Sequence, residues 1–119
     1  MADKILLVDD EIDFLEAMSL RLEARNMDVV IASSAQEAID RIQNETFEAV
    51  IIDYQLPGMD GLKALERIKD VRPESRIILL TGYATVDKRN EAIAKGAVDL
   101  LEKPVDLSVL FKTIRQQRI

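Results

Sequence analysis

Five short stretches rich in Ile, Val and Leu punctuate the chain at near-regular intervals: residues 4–8, 28–32, 49–52, 76–80 and 97–101. None alternates polar with apolar residues, so each suits a strand covered on both faces, as in a parallel sheet. Between them the apolar residues fall at helical spacing. Ile12, Leu15, Ser19 and Leu22 form one stripe, widened by Phe14 and Met18, with Arg21 and Arg25 facing away. Ser34-x-x-Glu37 has the capping-box pattern ahead of Ala38, Ile39 and Ile42. A third helix starts near Asp60-Gly61, carries Leu62, Leu65 and Ile68, and has to stop before Pro73. A fourth, roughly 86–95, ends at Gly96, a residue suited to the position just past a helix. The fifth follows an Asp106 cap and shows Leu107, Leu110, Phe111 and Ile114 at i, i+3, i+4 and i+7.

Strand and helix thus alternate five times, which implies a parallel sheet with right-handed crossovers and helices on both faces. Eight such units close a barrel of the usual kind; five predict an open, doubly wound α/β sheet. The 119 residues suffice for one domain, 1–119, and a chain of this size buries roughly two-thirds of its unfolded surface. In open α/β sheets ligands bind outside the carboxyl ends of the strands.

Composition narrows the chemistry. The chain has neither Cys nor His, which excludes disulfides, thiol nucleophiles, Cys/His zinc sites and histidine bases. A formal net charge of −6 is the wrong sign for attraction to a nucleic-acid backbone. Met1 to Lys4 runs straight into Ile5 to Val8 and then Asp9-Asp10, with neither an h-region nor a cleavage site. No apolar run approaches the roughly 18–20 residues of a membrane span. A cytoplasmic location is expected, with neither nucleic acid nor membrane as a direct partner.

The residue after each apolar run carries the functional signal. Asp9 and Asp10 follow the first, Asp53 the third and Thr81 the fourth; Lys103 lies just past the fifth, while the second ends in Ala32-Ser33. Three carboxylates, a hydroxyl and an ammonium converge on one rim. Carboxylates about 4 Å apart repel by roughly 1–4 kcal/mol per pair. A hard divalent cation relieves that repulsion, and Mg²⁺ suits it because it takes one or two carboxylates and fills its octahedron with water and phosphate oxygens. Singly, each residue has an ordinary explanation: turn former, loop threonine, solvated lysine. Their joint placement at four strand ends is what marks a site.

Asp9-Asp10 after an ILLV strand, Asp53 followed by LPGMDG, Thr81-Gly82, and Gly96-Ala97 leading to Lys103-Pro104 together resemble the receiver domain of two-component response regulators, across essentially the whole chain. The resemblance implies a flavodoxin-like sheet of order 2-1-3-4-5 with five helices. It implies that Asp53 accepts a phosphoryl group from a kinase phosphohistidine. Asp10 is implied as the direct Mg²⁺ ligand beside Asp53 and the backbone carbonyl of Gln55, and Asp9 as holding the ion through water. Lys103 is implied to contact the phosphoryl oxygens, Thr81 to turn inward onto the same group, Gly82 to leave access to Asp53, and Lys103-Pro104 to be cis. Such a domain is a phosphoacceptor rather than an enzyme, catalysing only its own phosphorylation and dephosphorylation.

Three positions stand apart. Receivers usually carry Phe or Tyr three residues before the lysine; here Leu100 stands there, so aliphatic repacking is expected to replace a ring swing when Thr81 moves. Tyr83 and Gln55 occupy the positions flanking the route of water to the phosphoryl group, and Tyr83 is expected either to shield the acyl phosphate or to be a plain exposed loop residue. The implied partners are a sensor histidine kinase or phosphotransfer protein, docking near the first helix and the loop after strand five, and an output domain or protein reached through helix four, strand five and helix five. A phosphorylation-dependent homodimer stays open, as does a stand-alone receiver against a piece of a larger regulator whose helix five closes at Ile119.

Three other readings fit less well. A Mg²⁺-dependent phosphohydrolase resembling the haloacid dehalogenases wants Asp-x-Asp, and Asp53-Tyr54-Gln55 lacks the second acid. A flavodoxin is suggested only by Thr81-Gly-x-x-Thr85, on the wrong strand and with no Trp in the chain. A phosphorylation-independent interaction module of this fold would not need the intact set of Asp9, Asp10, Asp53, Thr81 and Lys103.

Overall fold

Each apolar stretch becomes a strand in the computed structural model, which describes residues 3–116; Met1 and the close at Ile119 lie outside the described residues. The strands are β1 (Lys4–Val8), β2 (Asp28–Ala32), β3 (Ala49–Asp53), β4 (Ile77–Thr81) and β5 (Asp99–Glu102). The helices between and after them are α1 (Ile12–Glu23), α2 (Ala35–Asn44), α3 (Gly61–Val71), α4 (Val86–Ala94) and α5 (Leu107–Arg115). All neighbours pair in parallel, in the order β2-β1-β3-β4-β5, as expected.

The lack of alternation in the strands has a direct cause. Leu6, Val8, Val50, Ile52, Ile77 and Leu79 pack toward α2, α3 and α4, while Ile5, Leu7, Ala49, Ile51, Ile78 and Leu80 pack toward α1 and α5. Both sets are buried, and each Val, Leu or Ile among them contributes roughly 1.5–3 kcal/mol of transfer free energy. The sheet is therefore a fixed platform for whatever projects from its rim.

Boundaries differ from the sequence reading at three strands. β3 and β4 each run on into a polar residue, Asp53 and Thr81, because the ladder continues to Asp53↔Leu80 and Thr81↔Glu102. β5 starts at Asp99 rather than at residue 97, since Ala97 still folds back onto the end of α4, its N–H donating to Ala92 O at 3.0 Å. In α1 the inner stripe is Leu15, Met18 and Leu22. Ile12, predicted to lie on it, is 54% exposed, because the helix begins there at the rim, beyond the sheet's cover. Arg25 does not simply face away either: its guanidinium stacks 4.4 Å from the Phe111 ring centroid and joins α1 to α5.

The caps follow the sequence closely. Ser34 Oγ accepts from Glu37 N–H, 3.1 Å, but the returning Glu37 carboxylate accepts from Ser33 N–H rather than from Ser34. Asp60 caps α3, Thr85 caps α4 and Asp106 caps α5. Gly96, at φ +108°, turns the chain after α4.

Two arginines fasten helix ends to the rest. Arg72 donates from Nε and Nη2 to Ile42 O at 3.1 and 2.9 Å, tying the end of α3 to α2. Arg76 donates to the carbonyls of Thr113, Ile114 and Gln116, holding the end of α5. No helix among the described residues is long and apolar enough to cross a membrane.

Candidate functional site

The carboxyl ends of β1 and β3 are adjacent in the sheet, so Asp9, Asp10 and Asp53 meet there. Ligand oxygens of the three lie within 4.8 Å of one another. Asp9 and Asp53 are buried and Asp10 is exposed. Each buried carboxylate has donors. Asp9 Oδ1 accepts from Glu11 N–H at 2.9 Å, and Asp53 Oδ1 accepts from Gln55 N–H at 3.2 Å. The second oxygens share one ammonium: Lys103 Nζ lies 2.8 Å from Asp9 Oδ2 and 3.2 Å from Asp53 Oδ2.

Lys103 reaches that point from the loop between β5 and α5, where the Lys103-Pro104 peptide is cis and Lys103 N–H donates to Thr81 O at 2.7 Å. Burial opposes its charge, yet the hydrogen bond to Asp9 and the charges of Asp53 and Asp9 outweigh that and hold its pKa above the ordinary lysine value. Asp53 moves the opposite way from a simple ion pair. Burial pushes its carboxyl up, and neither the Gln55 N–H nor Lys103 fully offsets it. Proximity to Asp9 adds to the rise.

An open pocket of about 320 Å³ lies above these groups, lined by Asp10, Glu11, Asp53, Gln55, Gly82 and Lys103. A Cβ at Gly82 would meet nothing within 4 Å, so a side chain there would stand in the open space of the pocket that Gly82 lines. Thr81 is buried and does not line the pocket; its Oγ1 accepts from Tyr83 N–H at 3.3 Å and donates to Tyr83 O at 3.4 Å. Tyr83 is 70% exposed and outside the pocket lining. Leu100 is buried on the α2–α4 side, in register with Leu79.

The family model of the response regulator receiver domain matches residues 5–115. The chain belongs to that family. This receiver is 35% identical over 119 residues to the response regulator protein FleR of Pseudomonas aeruginosa, spanning 100% of the chain and 25% of FleR. Its fold superposes with a TM-score of 0.89 on a CheY-like receiver domain from Methanospirillum hungatei, 32% identical, covering 98% of the chain and 94% of that one. A response regulator from Burkholderia pseudomallei, 29% identical with a TM-score of 0.88 over 96% of the chain and 67% of its own, was solved with a phosphorylated aspartic acid and a calcium ion. The receiver is thus a signalling domain of two-component systems.

The receiver's donor set fits a divalent cation: oxygen ligands only, three of them carboxylates, one open to solvent. Three residues near the site escaped the sequence reading. Glu11 extends the acidic rim and was visible as the third acid of Asp9-Asp10-Glu11. Glu102 Oε1 accepts from Ala84 N–H at 2.8 Å and tethers the loop between β4 and α4. Lys88 donates to Tyr83 O at 2.8 Å and lies 5.3 and 5.5 Å from the ring centroids of Tyr54 and Tyr83. Only the folded chain brings these last two to the loop.

Proposed function

We propose that Asp53 is the phosphoacceptor of a histidine-to-aspartate relay, with residues 1–119 acting as a single receiver unit. The observation that carries this reading is the placement of Asp53 at the floor of an open pocket, 3.2 Å from Lys103 Nζ and beside Asp9 and Asp10. A carboxylate oxygen of Asp53 attacks phosphorus, the P–N bond to the donor imidazole breaks, and the imidazole leaves as the acyl phosphate forms. Lys103 holds a point charge where the phosphoryl oxygens arrive. Asp10, Asp53 and the backbone carbonyl of Gln55 would hold Mg²⁺ directly, and Asp9 would do so through water. When bound, the ion neutralises charge on the transferring group.

Thr81 reads the modification. Its two contacts to the Tyr83 backbone are long, so exchanging them for a phosphoryl oxygen costs little. With Leu100 instead of an aromatic ring, the movement passes by aliphatic repacking to Ala92 of α4, which shares its cluster. Gly82 keeps the approach open, and Tyr83 shields the product from water. The kinase or phosphotransfer partner docks beside α1 and the β5–α5 loop; the output, in this chain or another, is reached through α4, β5 and α5, where a phosphorylation-dependent homodimer would also form. The Burkholderia neighbour's phosphorylated aspartate and bound cation and the two-component relatives support this reading.

The test is incubation with acetyl phosphate and Mg²⁺ followed by intact mass. Wild type gains one phosphoryl group and Asp53→Asn none; equal labelling of the two would overturn the assignment.

A further inference from the structure

Lys103 has a third neighbour besides its two carboxylates. Its Nζ lies 4.3 Å from the centroid of the Phe14 ring, inside the roughly 6 Å at which an ammonium over an aromatic face is attracted by the ring quadrupole. Phe14 stands in the first turn of α1, half-buried, packed against the α1–α5 side of the core. Lysine is a flexible stem ending in a compact charge, and two hydrogen bonds alone leave it rotational freedom. The ring adds a third contact to the ammonium.

Asp9 and Asp53, which anchor Lys103 here, are also the carboxylates a divalent cation would share. Of the three neighbours, the phenyl ring is the one such a cation does not draw on, being neutral and without an oxygen donor. We infer that Phe14 is a positioning residue for Lys103: its ring keeps the ammonium over Asp53 when the acidic partners are engaged elsewhere. The inference rests on the assignment of Asp53 and Lys103 above. It also gives α1 a direct hold on the phosphoryl-binding lysine, through a contact that joins the start of that helix to the β5–α5 loop.

The experiment compares wild type, Phe14→Leu, Phe14→Tyr, Lys103→Met and the Phe14→Leu/Lys103→Met pair for the rate of labelling by acetyl phosphate with Mg²⁺, read by intact mass. Phe14→Leu keeps an apolar side chain and loses the ring, and labels about fivefold more slowly, the worth of one partly desolvated contact of this kind. Phe14→Tyr restores the rate. In the Lys103→Met background the Phe14→Leu change has no further effect. NMR supplies a signature independent of turnover: the Lys103 ε-methylene protons are shifted upfield by the ring current in metal-free wild type and Phe14→Tyr, and not in Phe14→Leu. Labelling of Phe14→Leu at the wild-type rate, an equal slowing in the Lys103→Met background, or ε-protons at ordinary shifts in wild type would each overturn the inference. A wild type that gains no phosphoryl group overturns the underlying assignment, and the inference with it.

Discussion

Helices α3 and α4 cover the same face of the sheet, and they are attached to it in opposite ways. α3 buries Gly61, Ala64, Leu65 and Ile68 and is bolted to α2 through Arg72. α4 buries Ala92 alone, leaves Val86 75% and Ile93 44% exposed, and holds on through surface pairs: Arg89 to Asp99 at 2.7 Å and Lys95 to Glu66 at 2.9 Å. Exposed ion pairs contribute little, typically under about 1 kcal/mol. The element after Asp53 is therefore fixed, and the element after Thr81 is loosely docked. A domain that must hold a reacting group still and yet change shape needs that division, since shape change draws on the least stable parts of a fold.

The contrast breaks most directly under truncation. Ile68→Ala in α3 is expected to cost about 2–5 kcal/mol, whereas Ile93→Ala in α4 stays within about 0.5 kcal/mol. Urea denaturation of the two variants measures this, and equal losses would erase the distinction. Next comes Gly61→Ala. A Cβ there would sit 2.7 Å from Tyr54 Cα and 2.8 Å from Asp53 O, so the β3–α3 junction must shift at about 1–3 kcal/mol. Because that junction carries Asp53, labelling by acetyl phosphate falls too; an unchanged rate would show that the fixed side is not what places the carboxylate.

On the loose side, Glu102→Gln weakens the tether to Ala84. The expected loss of about 1 kcal/mol appears as roughly fivefold faster hydrogen exchange at the Ala84 amide, with the amides of β3 unchanged. Smaller is the effect of Asp53→Asn on stability without metal. Burial raises the Asp53 carboxyl, so its ionised form disfavours the folded state once pH exceeds the raised value. The Asn variant is then more stable at neutral pH, by less than about 1 kcal/mol after solvent screening. Its advantage shrinks as pH falls through the raised value and the ordinary carboxylate range, and a melting-temperature difference that does not change with pH would contradict this. Smallest is Tyr83→Ala, within about 0.5 kcal/mol in stability yet shortening the lifetime of the phosphoprotein; an equal dephosphorylation rate would leave the exposed ring without a shielding role.

The same contrast explains what the amino-acid sequence discloses. Asp9, Asp10, Asp53 and Lys103 were legible because each follows an apolar run, and strand ends of a parallel sheet necessarily share one rim. Leu65 and Ile68 were legible from helical spacing. Ile12 was misplaced because periodicity says which face a residue is on, not whether the sheet extends beneath it. Phe14 read as core, and its second role needs a partner 89 residues away, at Lys103. Glu102 and Lys88 act on backbone groups of a loop, and no spacing rule encodes an acceptor that every residue possesses.

Arg76 grips the carbonyls at the far end of α5, while the near end begins at Asp106, three residues beyond Lys103. Like a door hung from its lower corner, α5 is held most firmly at that end, with Arg25 stacked on Phe111 farther up. Its largest excursion falls beside the lysine, so any tug on Lys103 is delivered to the helix as a tilt rather than a slide.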